Sequence, residues 1–265
     1  MSVFNKAAFF TSYDKYHSTG FYHKRYPSPN RHVLDFITRH LGNKAGHVVD
    51  FGSGSGRYAI PLLAEHPLRL TAFDISPSAL VALQERGDDF VRQGRLTTVG
   101  GTLADLAHHL DAQPPVDLAM LMFGVLGHIY PRAERVATLK ALADRLAPGG
   151  TLIATVPNAR RRFAREQREW KANPAAADGE PGDIRYRRTH GKETLDLYYH
   201  LYSLPEFISE LEAAGLSVTA VSAESMLPER PVVTSAAMQM LDAGLRAVLP
   251  VSLAYGFMAA ARRRT

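Results

Sequence analysis

The sequence predicts an α/β fold, a doubly wound and mostly parallel sheet with helices on both faces. Three observations carry that prediction. Short apolar runs rich in β-branched residues alternate with segments of helical periodicity. Gly or Pro bounds these segments, as expected for a chain of β-α units. The turn after the first apolar run, within VVDFGSGSGRYAI at 48–60, has glycine at alternate positions, which lets a ligand come close to the backbone. At 265 residues, with 46% hydrophobic and 22% charged, the chain suits one domain with a full core, 1–265.

The elements follow in order. NRHVLDFITRHL has apolar residues at 33, 34, 37 and 41, a helical stripe behind an Asn cap. HVVDF is a buried strand, YAIPLLAEH a helix, and LTAFD a second strand. SPSALVALQERGDDFVRQ is a helix with Ser76 as N-cap and Pro77 in the first position. RLTTVG is a strand, TLADLAHHL a short helix, DLAMLMF a strand, PRAERVATLKALADRL a helix, and APGGTLIATVP a turn and strand. The rhythm then breaks at RRRFAREQREWKANPAAADGEPGDIRYRRTH, read as a polar helix and an irregular loop. TLDLYYHLYS and SVTAVSAES are strand-like around the helix LPEFISELEAAGL. A helix near 234–248 precedes LAYGFMAAARRR, read as a final edge strand, with a membrane-surface helix over 247–261 as the alternative.

Composition narrows the chemistry. With no cysteine there is no disulfide framework, thiolate zinc site or catalytic Cys. His108 and His109 are adjacent and lack metal-ligand spacing, so no metal is expected. The N-terminus does not read as a signal peptide and no apolar run is long enough to span a bilayer, so a cytoplasmic protein is expected. A net charge of +5 favours an anionic partner only weakly. Its distribution says more, because 158–190 holds nine Arg or Lys against five acids.

The glycine loop discriminates between cofactors. Its spacing is G-x-G-x-G, and Arg57 stands where the dinucleotide fingerprint needs its third glycine. Asp50, just ahead of the loop, would repel a phosphate. S-adenosylmethionine, which carries a sulfonium and an ammonium but no phosphate, suits that carboxylate. Asp74 ends the second strand, where an acid accepts hydrogen bonds from ribose hydroxyls.

These motifs resemble the class I S-adenosylmethionine-dependent methyltransferases. The matching residues are VVDFGSGSGR, TAFDIS, DLAMLMFGVLGHI and LADRLAPGGTLIATVPN, with a looser match in YYHLYSLPEFISELEAAGLSVTAV. The resemblance is close over roughly 30–158. It implies a seven-stranded Rossmann-like sheet with an antiparallel last strand. It also implies that Asp50, Gly52, Ser53, Gly54, Ser55 and Gly56 line the methionine part of S-adenosylmethionine, Asp74 the ribose and Ile75 one face of adenine. Phe123, Gly124 and His128 belong to the fourth-strand motif. Many members hold the adenine amino group with an acid after the third strand; here VGGTLADL offers Thr102, backbone near Leu103, or Asp105.

Methyl transfer is an in-line displacement in which positioning does most of the work. A general base matters when the acceptor arrives protonated. His128 is one candidate, with a cofactor contact or helix cap as the alternative. His200 in YYHLYS is another, with packing as its alternative, and Tyr199 beside it is a candidate substrate contact. YDKYHSTGFYHKRYP places Tyr16, Tyr22 and Tyr26 ahead of the first helix, in an N-terminal flap expected over 1–29. Arg25, Tyr26 and Arg31 are candidate partners of the cofactor or substrate carboxylate. Residues 159–190 are expected to form an inserted lid whose Arg161 and Arg165 meet an anionic acceptor. The expected activity is methyl transfer to an oxygen or nitrogen of a small molecule. The alternatives are an RNA methyltransferase of the tRNA wobble type and a non-catalytic nucleoside-binding protein of the same fold.

Overall fold

The computed structural model describes residues 6–18, 22, 25–42, 46–172, 179–190 and 193–264. Helix α1 is Lys6–Ser18 and α2 Arg31–Leu41; then come β1 His47–Phe51, α3 Ala59–Glu65, β2 Arg69–Asp74, α4 Pro77–Arg86, α5 Asp88–Arg92 and β3 Leu96–Gly100. Next are α6 Leu103–Asp111, β4 Val116–Leu121, α7 Arg132–Ala143, β5 Leu146–Pro157, α8 Ala164–Ala172, β6 Asp183–His190 and β7 Glu193–His200. The chain ends with α9 Leu204–Ala213, β8 Leu216–Ser225, α10 Glu229–Thr234, α11 Ala236–Val248 and β9 Gly256–Arg263.

Seven strands form the main sheet in the order β3-β2-β1-β4-β5-β9-β8, and β9 runs antiparallel to both of its neighbours. The period-two alternation of the strands splits the core into two layers. Val49, Phe51, Phe73, Ala119 and Leu121 pack with Leu106, Leu139 and Phe207 of α6, α7 and α9. Val48, Leu70, Ala72, Leu118 and Met120 pack with Ile37, Leu62 and Leu83 of α2, α3 and α4. Both faces are covered, which is why the strands read as continuous apolar runs.

Local caps mark where the helices start. The Asn30 side chain accepts from His32 N, Ser76 from Ala79 N, and Ser203 and Glu206 form a capping box on α9. The long helix expected over SPSALVALQERGDDFVRQ is divided at Gly87 into α4 and α5.

Two expectations need correction. LAYGFMAAARRR forms no edge strand and no membrane-surface helix, because β9 lies inside the sheet between β5 and β8, and Phe257–Ala261 are buried. Both of its faces are covered, and this accounts for its unbroken apolar run. TLDLYYHLYS does not enter the main sheet either; β7 pairs only with β6, in a two-stranded hairpin. Among the described residues no helix is long and apolar enough to cross a membrane.

Candidate active site

The glycine loop leaves β1 at the carboxyl edge of the sheet, where doubly wound folds bind ligands. Gly52 and Gly54 take φ of +77° and +52°, which side chains adopt at a cost. The loop is pinned to β2: Gly52 N and Ser53 N donate to Phe73 O at 2.7 and 3.0 Å, and Gly54 N donates to Asp74 Oδ2 at 2.8 Å. Ser76 N donates to the other Asp74 oxygen at 2.9 Å. Asp74 thus fixes the loop as well as ending the strand.

Asp50 and Asp74 are both buried. Burial, reinforced by the charge of Asp74, pushes Asp50 up to about 8. Burial also raises Asp74, to about 6, against the backbone N–H groups that hold it down. Among the described residues neither forms an ion pair with Lys or Arg. A phosphate would add a third anion here, whereas a cationic group would restore the charge on Asp50. The donor set fits S-adenosylmethionine and disfavours a dinucleotide.

Beyond β4 the backbone turns through Phe123 and Gly124, at φ +59° and +76°. Gly124 N donates to Thr155 Oγ1 at 3.1 Å, and the short 3-10 turn Val125–His128 follows. His128 Nδ1 faces the carbonyl oxygen of Tyr198 at 2.9 Å. A carbonyl only accepts, so Nδ1 carries the proton and Nε2 is the basic nitrogen. The ring stacks on Tyr199 at 4.3 Å between centroids, and burial lowers its pKa to about 4, so the imidazole is neutral.

A narrow recess joins these parts. Gly52, Gly54, Phe123, His128 and Tyr199 line it, and Tyr22 and Tyr26 close one side. Helix α1 lies against β7 and α4, and its Tyr13 and His17 line the recess too. Asp14 anchors this helix by accepting from Ser76 Oγ at 2.6 Å and from Ser78 N and Oγ, both at 3.1 Å. A methyl group added at Gly54 would meet His17 Cε1 at 3.1 Å. The Tyr16 side chain lies outside the described residues.

Several expected site residues stand elsewhere. Arg31 is exposed and pairs with Asp35 at 3.8 Å. Arg161 is exposed and donates to Leu253 O, and Arg165 pairs with Glu169 on the outer face of α8. The cation that reaches the recess is Arg162, over the rings of Tyr255 at 4.9 Å and Tyr199 at 5.5 Å. His200 does not line the recess. Its nitrogens face Asp183 at 2.7 Å and Glu206 at 3.0 Å, and these partners raise its pKa against the effect of burial. Both of its nitrogens are engaged by carboxylates, so neither is left to act as base. Thr102 caps α6, its amide and hydroxyl both donating to Asp105. Ile75 is partly buried against the core, Leu103 likewise, and Ser55 O accepts from Arg86.

Sequence reasoning missed Arg162, Phe163 and Tyr186 in the recess wall, and Glu224 in a neighbouring recess. Arg160, Arg161 and Arg162 are consecutive, and no periodicity distinguishes them. The inward one is selected by the turn at Asn158, whose carbonyl accepts from both Arg161 N and Arg162 N, and by Phe163 at φ +55°. Residues 173–178, in the loop read as part of a lid, lie outside the described residues.

Comparison with known proteins identifies the family and the fold. The sequence profile of the family described as "Methyltransferase domain" matches residues 22–221. Among solved structures, the CcbJ methyltransferase from Streptomyces caelestis superposes with a TM-score of 0.62 at 16% identity, over 90% of this chain and 91% of that one. An S-adenosylmethionine-dependent methyltransferase from Clostridium acetobutylicum ATCC 824 gives 0.60 at 12% identity, over 96% and 99%. The DhpI-SAM-HEP complex gives 0.57 at 18% identity, over 98% and 100%. No curated protein matches the sequence. The profile match over most of the chain, on this sheet order and this glycine loop, shows that the chain belongs to the methyltransferase-domain family, the class I enzymes that use S-adenosylmethionine as methyl donor.

Proposed function

We propose that the chain transfers a methyl group to an oxygen or nitrogen of a small molecule. The observation that carries this reading is a covered, aromatic-walled recess in which a neutral His128 stands beside the glycine loop. Bound S-adenosylmethionine supplies an electrophilic methyl group with a neutral thioether as leaving group. Asp50 and the loop from Gly52 to Gly56 hold its methionine part, Asp74 its ribose and Ile75 one face of its adenine. Phe123 and Tyr199 orient the acceptor, α1 excludes water, and His128 Nε2 accepts a hydrogen bond from the acceptor's nucleophile. Arg162, rather than Arg161 or Arg165, is the cation available to an anionic group of the acceptor.

In this reading the N-terminal segment is the cover of a single domain, and the hairpin of β6 and β7 is the wall added by the insertion. The cover of α1 favours a small acceptor over a polynucleotide, since the recess is too small for an RNA strand to enter without displacing that helix. Incubating the protein with methyl-labelled S-adenosylmethionine, a panel of small amines, alcohols and carboxylates, and bulk tRNA tests the reading. Label is expected in a small molecule. Incorporation into tRNA alone would reverse the choice.

A further inference from the structure

A second recess adjoins the first and shares Tyr26, Phe123, Arg162 and Phe163 with it. Glu224, near the carboxyl end of β8, is one of its lining residues and is only 5% exposed. Among the described residues its Oε1 has no hydrogen-bond partner, an arrangement costly for a buried carboxylate unless something else serves it. The surroundings are shaped to admit that carboxylate. Gly256 on the adjacent strand has no side chain there, and a methyl group added to it would sit 2.2 Å from Glu224 Oε2. The Thr155 hydroxyl hydrogen-bonds Glu224 and also accepts from Gly124 N, which links the carboxylate to the turn that carries Phe123.

Charges reach Glu224 from three other elements: Glu229 from α10, Arg162 from the turn after β5, and Arg57 from the glycine loop. Glu229 is already engaged, accepting from Arg57 Nη2 at 2.7 Å and Asn30 Nδ2 at 3.0 Å. Arg25, Arg230 and Glu166 complete the charged part of the wall. Glu224 therefore has an acceptor oxygen to spare, in a recess that opens onto the cofactor pocket through shared aromatic walls.

We propose that this second recess is the acceptor subsite and that it takes an amine, whose nitrogen Glu224 holds and deprotonates before methyl transfer. The proposal rests on the methyltransferase reading above and names the substrate class. Glu224 accepts one proton from the ammonium, which frees the nitrogen lone pair. That pair forms the new N–C bond while the C–S bond breaks and its electrons pass to sulfur. The charge leaves the sulfonium and reappears on the methylated nitrogen.

Proton matching favours an amine over a hydroxyl. Burial, with the charge of Glu229, holds the Glu224 carboxyl above the ordinary carboxylate range. That makes it a stronger base toward an alkylammonium, at ~10.4, while an aliphatic alcohol stays far out of its reach.

The test uses benzylamine and benzyl alcohol, which share one aromatic skeleton suited to the ring-lined wall. Calorimetry on the full chain should show benzylamine binding at least tenfold more tightly than the alcohol. The preference should increase as pH rises from the ordinary carboxylate range toward neutrality and above, as Glu224 ionises while the amine stays protonated. Glu224→Gln should abolish the preference and lower kcat/KM for the amine at least 100-fold, with S-adenosylmethionine affinity unchanged within twofold. Equal binding of the two probes by the wild-type protein, or a Glu224→Gln variant with an unaltered pH profile, overturns the subsite. The wild-type comparison decides even if the variant does not fold. Absence of any S-adenosylmethionine binding would instead sink the methyltransferase reading, and the subsite with it.

Discussion

His128 and Tyr199 stack with ring centroids 4.3 Å apart and planes 18° from parallel, although one belongs to the turn after β4 and the other to the β6–β7 hairpin. The contact is local to the recess and is reinforced by the hydrogen bond to Tyr198 O. It makes the hairpin a wall of the recess, because Tyr199 also closes over Gly124, where an added methyl group would collide with its hydroxyl.

If His128 Nε2 accepts a hydrogen bond from the acceptor's nucleophile, His128→Gln should lower kcat by roughly tenfold while leaving S-adenosylmethionine affinity within about threefold. Because burial lowers its pKa to about 4, the rate should show no limb near 6.5 attributable to this residue. Pre-steady-state rates across pH 4–9 check both points. An unaltered rate in the variant removes His128 from the chemistry.

If Asp50 holds the cationic end of the cofactor as proposed, cofactor binding is pH-dependent. With its pKa raised to about 8 by burial and Asp74, the free protein carries it largely protonated at neutral pH. A cationic ligand favours the ionised form, so binding releases a proton and weakens as pH falls below 8. Affinity for S-adenosylmethionine should rise by roughly tenfold between pH 6 and 8. Calorimetry in buffers of differing ionisation heat measures the release, and Asp50→Asn should flatten the profile.

Asp74→Ala should weaken cofactor binding by about 1–3 kcal/mol, the cost of unserved hydroxyl groups. It also removes the acceptor of Gly54 N and Ser76 N, so hydrogen exchange at both amides should accelerate. Wild-type affinity in this variant would place the ribose elsewhere.

Arg162→Ala should raise KM for an acidic acceptor at least tenfold, whereas reversing Arg161 and Arg165 together should change it less than threefold. Arg162 reaches the recess, while the other two are held by Leu253 O and by Glu169 at the surface. The reverse pattern would show that the acceptor lies outside the recess.

Arg57→Ala should destabilise the fold by about 3–5 kcal/mol, because it leaves the buried carboxylate of Glu229 without its charge partner. Arg57 also donates to Ser28 O at 2.8 Å and lies over Phe123 at 4.7 Å, so it ties the N-terminal segment to the site. Denaturant unfolding gives the loss directly, and a change under 1 kcal/mol would contradict the role.

The sequence by itself determined what depends on neighbours along the chain. Strand and helix periods, the caps at Asn30 and Ser76, and the G-x-G-x-G spacing with Asp50 ahead of it are all short-range patterns, and they specified the fold and the cofactor. Tertiary structure decided what depends on partners far away in sequence. β9 looked like an edge because its apolar run does not reveal that two strands flank it. His200 looked like a candidate base until Asp183 and Glu206 claimed both of its nitrogens. Three consecutive arginines were indistinguishable until one turn aimed Arg162 inward. Glu224 was a polar residue in a strand until folding buried it beside Gly256 and left one oxygen unserved. In each case the side chain's chemistry was legible, but its surroundings were not, because desolvation and pairing are set by residues that only the folded chain brings into contact.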